Sequence, residues 1–109
     1  CGTSTEPVPT EKGVHSMEHG AVWITYDPAL AADAVAQLGQ LGSEPYVLVS
    51  PWAAGPIDSP VVASAWGVQL RLTDAGDPRL TQFLDEFRQS AEAPEPGAPC
   101  TGGASAGVG

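Results

Sequence analysis

Ala21-Val22-Trp23-Ile24-Thr25-Tyr26-Asp27-Pro28 is the stretch on which the fold turns. Its first six residues are mostly β-branched or aromatic, the composition of a strand. Asp27-Pro28 then carries a helix-start signal, because Asp caps free N–H groups and Pro fits the first helical position. Ala31, Ala34, Val35, Leu38 and Leu41 follow at helical spacing and predict an apolar face. Gly42 is the expected stop. Gly39 weakens the last turn by up to about 1 kcal/mol relative to Ala.

Working outward, Tyr46-Val47-Leu48-Val49-Ser50 reads as a short buried strand. Residues 51–60 hold Pro51, Gly55, Pro56 and Pro60 and read as a loop. Residues 61–72 read as one long strand. Val62, Ser64, Trp66, Val68, Leu70 and Leu72 share one face of it, and Val61, Ala63, Ala65, Gly67, Gln69 and Arg71 the other. Gly67 is expected to mark a bulge. Asp77-Pro78 repeats the helix-start signal, and Leu80, Phe83, Leu84 and Phe87 give an i, i+3, i+4, i+7 stripe. Residues 1–14 are polar, contain Pro7 and Pro9, and read as an extended lead-in. The expected fold is therefore α+β, in the order strand-helix-strand-strand-helix. A small three- to four-stranded mixed sheet carries two helices packed on one face. The first crossover is right-handed if its strands are parallel neighbours. One domain is expected over residues 1–103, with 104–109 a flexible tail.

Composition excludes several functions. A chain of 109 residues allows one small domain. Four Lys and Arg residues against 13 Asp and Glu leave a net charge of −9. Lys12, Arg71, Arg79 and Arg88 are scattered, so no phosphate-neutralising surface for nucleic acid exists, nor an attraction to anionic lipid. No apolar run reaches the roughly 18–20 residues of a membrane span, so membrane insertion of this segment is not expected. The chain opens on Cys1, which points to a processed form or fragment with any signal peptide or anchor outside it. Cys1 and Cys100 form no CxxC motif. They read either as a terminal disulfide or, for Cys1, as the lipidated start of a lipoprotein. Both imply an extracytoplasmic protein. The disulfide is preferred, because lipidation leaves Cys100 without a partner; closing so long a loop removes about 4–5 kcal/mol of unfolded-state freedom.

The chemistry concentrates in Val14-His15-Ser16-Met17-Glu18-His19-Gly20, which holds both histidines and the one methionine. If the segment is extended, His15, Met17 and His19 face one way. If it is helical, His15 and His19 share a face at i, i+4, with Glu18 beside them. Imidazole with thioether suits copper, and imidazole with carboxylate suits zinc or iron. A further ligand would come from Asp27, Asp58, Cys100 or sequence outside the chain. The competing reading makes the histidines partners of backbone groups where a loop enters the sheet, and Met17 a core filler.

Catalytic arrangements are weaker. Ser16, Ser50, Ser59 and Ser64 lack a G-x-S-x-G elbow, and no calcium loop or phosphate-binding glycine loop is present. Glu18 beside His19 would be the acid/base pair if the protein were an enzyme. Trp23 and Trp66 read as core. Trp52 in the proline-rich loop is the candidate contact for a partner, set against a bland role covering the core rim.

The run from His15 to Pro28, with its His-x-x-Glu-His-Gly core, resembles the signature of the DUF3105 family, a domain of unknown function. Cys1-Gly2, Thr5-Glu6-Pro7-Val8-Pro9, Glu11, Ser64-Ala65-Trp66 and the stretch from Ala93 through Cys100 to Gly103 look like it too. The resemblance covers nearly the whole chain. It implies a bacterial protein, which in actinobacteria follows a signal peptide or membrane anchor. It also implies an upstream Gly-Pro-His element, so that a third family histidine lies outside this chain. Met17 departs from the family's commoner Leu, which counts against a copper site that needs the thioether. The family supplies no agreed activity.

These readings converge on an extracytoplasmic, non-catalytic binding domain. Its candidate copper or zinc ligands are His15, His19, Met17 and Glu18. The alternative is a structural or accessory subunit that docks on a cell-envelope complex through Trp52 and the acidic surface.

Overall fold

The computed structural model describes residues 2–44, 46–52 and 59–88. Along the chain run β1 (Gly2–Thr3), α1 (Thr10–Glu18), β2 (Val22–Tyr26), α2 (Ala32–Leu41), β3 (Val47–Pro51), β4 (Val61–Ala65), β5 (Val68–Leu72) and α3 (Pro78–Phe87). The strands form one mixed sheet in the order β1-β3-β2-β4-β5. β3 is parallel to both β1 and β2, whereas β4 is antiparallel to β2 and to β5. The α+β class is as expected. Among the described residues the sheet has five strands rather than three or four, and there are three helices rather than two.

Each departure has a local cause. β1 is two residues long, too short to show any periodicity; it is held by pairing with Leu48 and Val49 and by Ser4 N–H donating to the Val49 carbonyl at 2.8 Å. α1 begins where Pro7 and Pro9 suggested an extended segment. Pro9 stands just outside the helix, where its missing N–H costs nothing, and its carbonyl accepts from the N–H groups of Lys12 and Gly13. Residues 61–72 form a hairpin instead of one strand. Trp66-Gly67 is its two-residue turn, and Gly67 has φ +86°, a conformation that disfavours any Cβ. Gly67 is thus a turn glycine and not a bulge. The turn also reverses the face assignment for half the segment. Val68, Leu70 and Leu72 pair with Ala65, Ala63 and Val61 and lie on their side of the sheet. Trp66, expected in the core, is half-buried at the turn.

The helix after Tyr26 starts later than its signal. Asp27 builds a tight turn, its carboxylate accepting from Ala29 N–H at 2.9 Å and its carbonyl from Leu30 N–H at 2.8 Å. α2 then begins at Ala32 without a side-chain cap. Gly42 does stand at its C-terminal end, but with an ordinary φ of −66°. Glycine is required there because a Cβ would collide with Thr3 of β1. The second start signal holds as read: Asp77 caps α3, accepting from Arg79 N–H at 2.9 Å, with Pro78 at the first helical position.

Both faces of the sheet are covered, unequally. α2 and α3 pack on one face, α2 near β3 and α3 near β4 and β5. Leu38, Leu80, Phe83 and Leu84 meet Val22, Ile24, Val49, Val61 and Leu72 there in the main core. α1 lies against β2 on the opposite face, where Val8, Trp23 and Leu48 form a second cluster with Met17 and Trp52 against it. Arg88, at the end of α3, donates to Glu44 at 2.9 Å and so ties α3 to the turn after α2. No helix among the described residues is long and apolar enough to cross a membrane.

Candidate functional site

The segment that carries both histidines is the end of α1 and its cap. His19 is the C-cap, and Gly20 follows with φ +98°. Gly20 N–H donates to Met17 O at 3.0 Å and Ala21 N–H to Ser16 O at 3.1 Å. This pair of bonds is a Schellman closure, which needs a residue free to adopt positive φ after the cap. The sequence Glu18-His19-Gly20 therefore ends a helix and turns the chain directly into β2.

Helical geometry decides which candidate ligands meet. His15 and His19 lie one turn apart, with ring centroids 4.5 Å apart and planes at 63°. His15 is exposed and His19 half-buried. Met17, between them in sequence, points elsewhere: it packs on the cluster of Val8, Trp23 and Leu48. The extended alternative, which placed the thioether beside both imidazoles, is not the conformation adopted. Among the described residues no three His, Cys, Asp or Glu side chains gather into a group able to hold a metal. Glu18 and Asp27 accordingly do not complete a set with the two imidazoles. Ser16, on the inner side of the helix, is buried, and its Oγ has no hydrogen-bond partner among the described residues.

Beside α1 the second face of the sheet forms a groove of about 560 Å³. Strand register sets its floor. Trp23, Ser64 and Gln69 lie in one row across β2, β4 and β5, and Thr25, Val62 and Arg71 in the next. Val14 and Met17 of α1 form one wall, and Trp52 contributes a second aromatic surface. The Trp23 and Trp52 rings are tilted at 60° with centroids 6.0 Å apart. Trp23 is fixed from below, its Nε1–H donating to the buried Ser50 hydroxyl at 2.9 Å. Trp52 is anchored through its backbone, N–H to Tyr26 O at 2.9 Å, and remains half-buried. Gln69 donates to the Ser64 hydroxyl at 3.1 Å, and the Thr25 hydroxyl donates to Val62 O at 3.3 Å.

The family profile described as "Protein of unknown function (DUF3105)" matches residues 1–102. The chain belongs to the DUF3105 family. No curated protein and no solved structure gives a match. In this DUF3105 domain the expected Cys1–Cys100 pairing, the possible ligands Asp58 and Cys100 and the 104–109 tail all lie outside the described residues.

The groove was not legible in the DUF3105 sequence because its residues come from α1, three strands and the start of a loop. One signal for α1 was present. Pro9-Thr10 can open a helix and Gly20 can close one, and the stretch between them contains no proline. With α1 recognised, Gly13 falls on the same side of the helix as Ser16 and Met17, which marks a face pressed closely on the sheet. Burial raises the Tyr26 phenol, which sits in the main core, and the Arg79 side chain lowers the Asp77 carboxyl at the start of α3.

Proposed function

We propose that this DUF3105 domain is an extracytoplasmic, non-catalytic binding domain in which His15 and His19 hold a copper or zinc ion. The observation that carries the reading is the 4.5 Å separation of the two imidazole rings at the C-terminal end of α1. Histidines one helical turn apart can present nitrogen to one ion, and both copper and zinc accept imidazole. Two side chains leave coordination positions for water or for a ligand from another molecule. The Schellman closure at Gly20 fixes the backbone of the second histidine and so limits the entropy lost on binding.

The test is a titration with Cu²⁺ and with Zn²⁺, followed by calorimetry, on the parent chain and on the His15→Ala/His19→Ala double variant. Binding by the parent that is lost in the double variant supports the site. Equal stoichiometry and affinity in the two proteins overturns it. A Met17→Leu variant should bind as the parent does, because Met17 packs on the other side of the helix.

A second reading is favoured by the half-buried indole of Trp52 at the edge of the groove. An accessory subunit that docks on an envelope complex would use such a ring as an anchor. A pull-down from native membranes separates the two readings: a stoichiometric partner lost with Trp52→Ala supports docking, and none leaves metal binding ahead.

A further inference from the structure

We propose that an ion held by His15 and His19 acts as a clamp on α1, so that metal occupancy sets how firmly this helix stays closed on the second face of the sheet. The inference rests on the metal-binding reading above and adds what the ion does once bound. The two imidazoles flank the bonds that end the helix. His19 N–H and Ala21 N–H both donate to Ser16 O at 3.1 Å, and Gly20 N–H donates to Met17 O at 3.0 Å. A chelate from position 15 to position 19 spans both acceptor residues. On the helix, side chains four positions apart are about 5–6 Å from one another at Cβ. Unwinding the turn takes the same positions toward about 13 Å, so the ion favours the closed turn.

α1 is weakly secured by its own sequence. It has nine residues, below the length at which an isolated helix persists in water. Pro9 stands at its N-cap and offers no side-chain acceptor. Gly13 lies inside it and lowers its helix propensity. Ser16 is buried, and its hydroxyl has no hydrogen-bond partner among the described residues. α3 is better held: Asp77 caps it, and Leu80, Phe83 and Leu84 are buried in the main core. A short helix of this kind opens locally before the domain unfolds, and the binding free energy of the ion acts on that local opening.

The clamped turn carries Met17, which packs on the cluster of Val8, Trp23 and Leu48. Val14 and Met17 also line the groove from the α1 side. Metal occupancy at the imidazoles is thereby linked to the persistence of that wall. The connection runs through one turn of one helix: the ion closes the turn, and the closed turn holds Met17 on the sheet. Linkage makes the effect reciprocal, so whatever seats α1 more firmly on the sheet tightens the hold on the ion.

Hydrogen exchange read by mass spectrometry tests the clamp on the full chain, with Zn²⁺ or Cu²⁺, whichever the titration shows to bind. At ten times the measured dissociation constant, exchange across residues 10–21 should slow about tenfold, because opening of the turn then also requires release of the ion. Exchange in α2 and α3 should change much less. The His15→Ala/His19→Ala variant should show no slowing with the ion, and its ion-free exchange in α2 and α3 checks that it is folded. Slowing confined to α1 and lost in the double variant supports the proposal. Binding that leaves α1 exchange unchanged overturns the clamp while the metal site stands. Equal slowing of all three helices overturns it as well, since the ion then acts only on global unfolding. Slowing that survives in the double variant does the same, by placing the ion elsewhere. Binding of neither ion removes the clamp together with the metal site.

Discussion

Gly13 of α1 lies directly against the indole of Trp23, so closely that a Cβ at position 13 would overlap the six-membered ring. This contact sets how near α1 approaches the sheet. It also explains a glycine in the middle of a helix, where it costs about 1 kcal/mol relative to Ala in an exposed position.

Gly13→Ala should destabilise the protein by about 1–3 kcal/mol, because overpacking outweighs the gain in helix propensity. Denaturant unfolding measures the change. Combining it with Trp23→Leu should recover part of the loss, since the two sites share one contact. A more stable Gly13→Ala protein would show that α1 does not rest on Trp23.

Ser50→Ala should cost about 1–3 kcal/mol, since Trp23 Nε1–H would be left in a buried position without its acceptor. Unfolding curves give the magnitude.

Ser16→Ala should behave in the opposite way. The Ser16 hydroxyl is buried and has no hydrogen-bond partner among the described residues. Its removal should be neutral or stabilising by up to about 1 kcal/mol, because a desolvated polar group is lost with little change in volume. A loss of stability comparable with that of Ser50→Ala would mean that an ordered water satisfies the hydroxyl.

Asp77 gives a pH signature. Hydrogen bonds from Arg79 hold its carboxyl below the ordinary carboxylate value. Its contribution is present above the unfolded pKa and is lost as pH falls through the lower folded value. Asp77→Asn keeps a capping oxygen and removes the ionisation. Thermal melting between about pH 2 and pH 6 should show a shallower acid decline for the variant than for the parent. Parallel curves would exclude Asp77 from the acid dependence.

Much of the fold was legible in the chain. β2 and β3 were read from continuous apolar runs, and α3 from Asp77, Pro78 and its Leu-Phe stripe. These signals are local, since caps and 3.6-residue periodicity act within one element. The hairpin was less legible, because Trp66-Gly67 interrupts neither the apolar character nor the alternation of residues 61–72. α1 was hidden by two prolines that shape the backbone before it and by a glycine that suits a contact with a distant residue.

The sequence alone determined the acidic balance, the α+β class, and the concentration of both imidazoles in one short segment. Tertiary structure decided which of those side chains meet. The end of α1 brings the His15 and His19 rings together and packs Met17 onto the cluster that holds Trp23. A two-residue turn sends β5 back along β4 and places Arg71 in line with Val62 and Thr25. Among the described residues the groove lies where α1 covers β2 and leaves the neighbouring strands on that face beside it. Register and helix packing are long-range properties: each joins residues tens of positions apart, and no local pattern of hydrophobic residues encodes that distance.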